Sequence, residues 1–156
     1  MVTYGKINYS QNEKGTMSKQ FVHLHTHSDH SVLDGHANYK DLANEVQGRG
    51  QPGFSITDHG RMSNVYNGWK AAKERNLKFL PGVEAYVTPG DTSMETWEPV
   101  FFGDGARENK EERSNDVSGG GAYTHMTMLA ETTEGMHNLF KLNTLSWQKG
   151  NYRKNR

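Results

Sequence analysis

Between Phe21 and His30 the chain reads Phe-Val-His-Leu-His-Thr-His-Ser-Asp-His, and Ser31-Val32-Leu33-Asp34-Gly35 follows at once. Apolar and polar residues alternate from Phe21 to His25, the pattern of an extended strand whose side chains point to opposite faces in turn. On that pattern His23, His25 and His27 share a face, with neighbours about 6–7 Å apart, close enough to hold adjacent metal ions. Val22 and Leu24 then point into a core. Asp34 arrives after a turn ending in Gly35 and can bring a hard carboxylate back to the imidazoles. An isolated His-x-His pair says little, because histidines also sit on surfaces or hydrogen-bonded in cores. The rest of the chain decides.

Cysteine is absent, which excludes a disulfide framework and thiolate-rich zinc sites, so any metal must be held by His and carboxylates. Its absence also fits a cytoplasmic protein. At 156 residues the chain is one domain's worth, or a piece of a larger one. No apolar run approaches a membrane span, and the polar start from Met1 to Gln20 lacks the apolar core of a signal peptide. A formal net charge of zero rules out the chain as a whole being an electrostatic wrap for nucleic acid. The basic end, Arg153-Lys154-Asn155-Arg156, reads as a solvated terminus.

Residues 1–20 show no period and read as a flexible leader. After the first strand, Tyr39, Leu42, Ala43 and Val46 recur at helical spacing, up to Gly48-Arg49-Gly50. Gln51-Pro52-Gly53 turns the chain into a strand over Phe54–Thr57, which delivers Asp58-His59-Gly60. Ser63 is the expected N-cap of a helix presenting Val65, Trp69 and Ala72 on one face and ending near Asn76. Leu77–Leu80 is a third strand, bent at Pro81-Gly82, with Val83–Val87 continuing it. Strand, helix, strand, helix, strand implies α/β architecture, parallel strands with right-handed helical crossovers. Active residues of such sheets gather at the carboxyl ends of the strands. His25, His27, Asp58, His59 and Glu84 all fall at or near such ends.

Residues 88–122 break the rhythm, and their Pro, Gly and charge content suggests a long, partly disordered loop in which Phe101-Phe102 is the one apolar anchor. A strand over Thr124–Ala130 carries His125 near its start. Thr132 or Thr133 then caps a helix with Met136, Leu139, Phe140 and Asn143 on one face, ending by Gly150.

Five motifs occur in order: Phe21–Ser28, Leu33-Asp34-Gly35, Ile56–Gly60, Pro81–Val87, and His125 ahead of Leu129-Ala130. Together they resemble the polymerase and histidinol phosphatase (PHP) domain, in the version at the N-terminus of bacterial DNA polymerase III alpha subunits. The resemblance covers roughly residues 20–156 apart from the loop, and Glu134-Gly135 and Asn138-Leu139 extend it. It implies a distorted (βα)7 barrel holding up to three metal ions, usually zinc, manganese or iron, that hydrolyses phosphoester bonds. His25 and His27 would be ligands of the first motif, joined by Asp34. His59 would be the ligand of the second, with Asp58 behind it as its orienter. Glu84 would bridge two metals, and His125 would complete a third position. These residue types suit such chemistry: imidazole and carboxylate fit borderline divalent ions, and bridging carboxylates let metals sit about 3.5–4 Å apart. His23 is ambiguous between the metal face and a supporting role, and His30, His36 and His137 read as surface or structural.

The family's remaining ligands, among them a late Asp-x-His pair, have no counterpart after His125. The leading expectation is therefore the N-terminal part of a replicative polymerase's PHP domain. Its partner would be the remainder of a polymerase III alpha-like polypeptide, with DNA met indirectly through the replicase, in a bacterial or phage-infected cytoplasm. Phosphoester hydrolysis, including 3′–5′ exonuclease proofreading, would follow once further ligands complete the site. Two other readings stand beside it: a non-catalytic module bracing a polymerase, and a small stand-alone phosphoesterase. As a part-barrel, the chain is expected to leave an edge strand and the helix face with Met136, Leu139 and Phe140 uncovered.

Overall fold

The structure, a computed structural model, describes residues 21–87, 124–152, 154 and 155; the expected leader, long loop and Phe101-Phe102 anchor lie outside them. A three-stranded sheet forms its centre, built from β1 (Gly53–Ile56), β2 (Lys78–Val87) and β3 (Thr124–Leu129) in the order β1-β2-β3. Three helices, α1 (Tyr39–Gly48), α2 (Val65–Glu74) and α3 (Thr133–Lys149), accompany it. A small hairpin, β4 (Asn151–Tyr152) with β5 (Lys154–Asn155), follows.

The α/β reading holds for the crossover through α2, since β1 and β2 pair in parallel from Gly53↔Lys78 to Ile56↔Pro81. Only the expected parallel direction is missing at β3, which runs antiparallel to β2 with Glu84 opposite Thr127 and Tyr86 opposite His125. The amino end of β3 therefore lies beside the carboxyl end of β2. That is how His125, at the start of its strand, still reaches the end of the sheet where the other expected ligands gather. Pro81 does not break β2. It sits where pairing passes from β1 to β3, so its missing N–H costs no ladder bond, and its carbonyl accepts from Ala130 N at 2.8 Å.

The expected first strand is reduced to a single parallel bridge, His23↔Phe54. Ser55 N donates to His23 O, but Thr57 N donates to Thr26 O, so two residues on β1 span three on the partner segment. This extra residue is a bulge, and it shifts the alternation by one. His25 and His27 are turned together towards the sheet end, while His23 packs edge-on against Phe21 instead. Leu24, expected in the core, is 46% exposed for the same reason.

The helices follow from their small faces. Asn38 caps α1 by accepting from Lys40 N and Asp41 N, and Ala43 and Val46 are buried. In α2 the first cap expected, Ser63, is replaced by Asn64, whose side-chain amide is diverted to Ser28 Oγ. The helix ends at Glu74, and Asn76 follows in the left-handed region at φ 58°. Its buried face is Val65, Gly68, Ala71 and Ala72 rather than the expected Val65, Trp69 and Ala72. Trp69 is displaced because the bare Gly68 lets the backbone settle onto Ile56 and the Phe79 ring, leaving the indole outside. Phe79 joins the two core clusters: one of Ala43, Val46, Phe54, Ile56, Ala71 and Ala72, the other of Met62, Val65, Val83, Ala130 and Leu139.

α3 is capped by Thr132, whose Oγ1 accepts from Gly135 N, and closes at Gly150. Leu139, expected to lie uncovered, is buried and Met136 packs beside it, because this stripe meets Val83 and Met128 on the sheet. Phe140 and Trp147 on one side of the helix, and Leu142 and Leu145 on another, stay exposed. The expectation of a wholly solvated basic end also fails at Asn155, which is 5% exposed and donates to Gly60 O.

A Cβ at Gly68 would lie 2.7–2.8 Å from the Phe79 ring and Ile56 Cδ1. Gly68→Ala should therefore lower stability by about 1 kcal/mol, an overpacking penalty of ~1–3 kcal/mol exceeding the ~1 kcal/mol gained in helix propensity. Urea denaturation of the two chains measures it; a stabilised variant would show that the helix sits further from the sheet.

Candidate metal centre

At the end of the sheet the bulge, the Ser28–Gly35 turn, the β1 exit, β2 and β3 bring six side chains together in three overlapping triads: His25–His27–Glu84, His27–Asp34–His59 and His59–Glu84–His125. Within each, the donor atoms lie within 4.8 Å of one another. Glu84 is the hinge. Its Oε2 meets His25 Nε2 at 2.5 Å and His27 Nε2 at 2.8 Å, and its Oε1 meets His125 Nδ1, with His59 Nδ1 at 3.4 Å. Asp34 joins the second group, 2.7 Å from His59 Nε2 and 3.3 Å from His27 Nδ1. Each metal ligand expected from the sequence thus enters the cluster, and His23 stays out.

Asp58 does not face the cluster. Its carboxylate, 1% exposed, accepts from Ser28 N at 2.6 Å, Ser28 Oγ at 2.7 Å and Ser31 Oγ at 3.2 Å. Ser31 Oγ in turn accepts from His59 N at 3.0 Å, and Asn64 Nδ2 donates to Ser28 Oγ. Asp58 therefore reaches His59 only through Ser31 and the backbone, while clamping the turn that carries Asp34. Gly35 closes this turn against Ser28 O, where a Cβ would lie 1.7 Å away.

Sequence reasoning missed Ser28, Ser31 and Asn64; only their nearness to the histidine motif and to Asp58-His59-Gly60 hinted at them. It also missed Tyr86, whose ring stacks on His59 at 6.0 Å and meets His125 edge-on at 5.0 Å. Tyr86 follows Glu84 by two residues, so strand parity alone puts it on the same face. Gly60, in the left-handed region at φ 60°, turns the chain away after His59, its N–H donating to Glu84 O at 2.8 Å.

The donor set fits divalent metal ions. His25 Nε2 and His27 Nε2 are 3.0 Å apart, and both press on one carboxylate oxygen. No placement of protons gives all three edges of that triangle a well-formed hydrogen bond, whereas three lone pairs facing one cation would be satisfied. His59 Nδ1 is likewise buried without a hydrogen-bond partner while facing Glu84 and His125. Four imidazoles and two carboxylates, with no sulfur, suit borderline divalent ions.

Burial alone would raise the Glu84 carboxyl, but hydrogen bonds from His25, His125 and His27 and the charge of His59 outweigh it and hold the group below its ordinary 4.5. Asp34 is held below 3.8 in the same way: burial is the largest single effect and raises it, but hydrogen bonds and charge from His59 and His27 together overcome it.

Comparison with known proteins gives the cluster a context. A family model described as PHP domain matches residues 23–156. The DNA polymerase III subunit alpha of Saccharopolyspora erythraea is 42% identical over 138 residues, covering 87% of this chain and 11% of that protein. The same subunit of Mycobacterium tuberculosis is 40% identical over 124 residues, 80% of this chain and 10% of that one. The Deinococcus radiodurans subunit is 37% identical over 142 residues, 88% of this chain and 9% of the relative. The chain spans about a tenth of the length of these relatives. Among solved structures, an amidohydrolase from Chromobacterium violaceum aligns with 44% of this chain and 24% of its own at 29% identity, with a TM-score of 0.39.

Two outcomes follow from this geometry. A carboxyl whose pKa is depressed by folding adds stability that is present above its unfolded value and lost as pH falls through its folded one. Metal-free protein should therefore lose stability below about pH 4.5, and Glu84→Gln should flatten that part of the curve; an unchanged acid limb in thermal melts would contradict the imidazole contacts at Glu84. Asp58→Ala strands the Ser28 amide and two hydroxyls and should cost about 3 kcal/mol in denaturant unfolding, whereas a loss under 1 kcal/mol would mean the turn holds itself.

Proposed function

The chain belongs to the PHP domain family, and on that premise we propose that its histidine–carboxylate cluster binds divalent metal ions and hydrolyses phosphoester bonds as part of a DNA polymerase III alpha-like replication protein. One observation carries the reading: both oxygens of Glu84 are met by imidazoles drawn from three separate segments, the arrangement of a carboxylate shared between neighbouring cations. Zinc, manganese or iron, up to three ions, are the candidates. When bound they would supply Lewis acidity, lowering the pKa of a water and neutralising charge on phosphoryl oxygens.

The chain's own residues supply position. His27 and His59 each belong to two triads, so a shift of either would disturb two donor groups at once. Asp34 closes the group on the His27 side. Asp58 serves as an orienter, holding the Asp34 turn and, through Ser31, the His59 amide. Tyr86 walls the His59 and His125 rings, keeping their nitrogens aimed at Glu84. Work in the cytoplasm beside a replicase is proposed from the likeness to DNA polymerase III alpha subunits. The partner is the remainder of an alpha-like polypeptide, which would add further ligands and bring DNA to the site, allowing 3′–5′ exonucleolytic trimming.

Elemental analysis after reconstitution with each ion, paired with thermal melts, tests this. At a free ion concentration of 100 times Kd the melting temperature should rise by about 5–10 °C and fall again with chelator. His59→Ala should remove most of that increment and any hydrolysis of a phosphodiester substrate. Sub-stoichiometric metal, with melts indifferent to chelator, would overturn the reading in favour of a bracing module.

A further inference from the structure

Asn155 is no part of the metal cluster, yet its side chain is buried in a stretch whose composition reads as basic and solvated. A buried amide has to be met by partners. Its Nδ2 donates to Gly60 O at 2.5 Å and to Ser146 Oγ at 3.0 Å. Ser146 Oγ donates in turn to Asn143 O at 2.8 Å, and Asn143 Nδ2 donates to Gly60 O at 2.9 Å. The contacts close a circuit from Asn155 through α3 back to Gly60.

Gly60 is the residue after His59. A Cβ there would lie 2.4 Å from Asn155 Oδ1 and 2.8 Å from the Tyr86 ring, so the amide and the ring both press on the bare α-carbon. The same Tyr86 ring is stacked on the His59 imidazole. From the other side, the Gly60 N–H donates to Glu84 O. The backbone just past His59 is thus held between the strand that carries Glu84 and the amide of Asn155. His59 Nδ1 is buried without a hydrogen-bond partner, and the ring belongs to two of the three donor triads. Its aim is set by what holds its backbone and its ring.

We propose that Asn155 is a positioning residue for the metal cluster: its amide places the Gly60 peptide, and through it the His59 imidazole between Asp34 and Glu84. The inference rests on the divalent-metal reading of the cluster and goes beyond it, because it gives the β4–β5 hairpin a share in metal affinity. Plain packing would behave differently. Gly60 O meets three donors with two lone pairs, so without Asn155 it keeps Asn143 and Trp147 and the fold survives. What changes is where the carbonyl lies, since both remaining donors are on α3. Shape and donation can also be removed separately. Asn155→Asp keeps the outline but sets an acceptor against the carbonyl, and Asn155→Ala removes both.

Cobalt(II), a divalent ion with visible absorption, reads affinity and coordination geometry together when titrated into the metal-free chain. Asn155→Ala and Asn155→Asp should each weaken cobalt binding about tenfold and shift the visible bands. Agreement between the neutral and the charged variant excludes a simple charge effect. The melting temperature of metal-free Asn155→Ala should stay close to that of the parent. His59→Ala leaves the His25–His27–Glu84 triad, and in that background Asn155→Ala should weaken cobalt binding no further. Parent-like affinity in both variants, or an undiminished loss in the His59→Ala background, would overturn the proposal. Imidazole NMR resonances of the metal-free chain supply a readout that needs no ion: those of His59 should move in Asn155→Asp while those of His30 and His36 stay. If the parent chain takes up no cobalt but the His59 resonances move, the metal reading falls and the positioning role stands. Unmoved His59 resonances would overturn the role itself.

Discussion

A carboxylate that is 1% exposed has to be met by donors, and Asp58 is met by the Ser28 amide and the hydroxyls of Ser28 and Ser31. Much of the site hangs on that exchange. It fixes the turn from Ser28 to Gly35 against the exit of β1, and so sets the distance between His27 and Asp34 on one side and His59 on the other. Asn64 completes it from the start of α2, which ties the helix behind the sheet to the loop in front. The polar cluster that an ion would organise is therefore seated on a second polar cluster that needs no ion. Its members are short side chains with few rotamers, so little conformational entropy is lost in holding them.

The residues of the cluster were legible because they are chemically distinctive and close to strand ends. His25, His27, Asp34, His59, Glu84 and His125 meet as the motifs imply. What the sequence hid was how they get there. The bulge between His23 and Thr26 is invisible to a reading by strict alternation, which put His23 on the wrong face and Leu24 in the core. The direction of β3 was hidden as well: a connection as long as 88–123 is compatible with either sense, and local pattern carries no information about which.

Small residues account for the other differences. Periodicity weighs side chains by hydrophobicity, so Trp69 outranks Gly68 on paper. Packing weighs them by how closely two backbones can approach, and there Gly68 wins because Ile56 and Phe79 fill the space its hydrogen leaves. Asn64 illustrates the same limit for polar groups: a good capping residue was drawn to a stronger demand, the buried Ser28 hydroxyl, and α2 begins without a side-chain cap.

The carbonyl of Gly60 accepts from Asn143, Trp147 and Asn155, the last at 2.5 Å from 95 positions along the chain. An oxygen has two lone pairs, so three donors compete for it, and relaxing one lets the others tighten. The peptide unit bearing that oxygen is one residue from the imidazole of His59. In mechanical terms it is a load-sharing joint: α3 and the β4–β5 hairpin pull on the same point, and the angle at which His59 is offered to Glu84 combines those pulls with the hold of Ser31 on its amide.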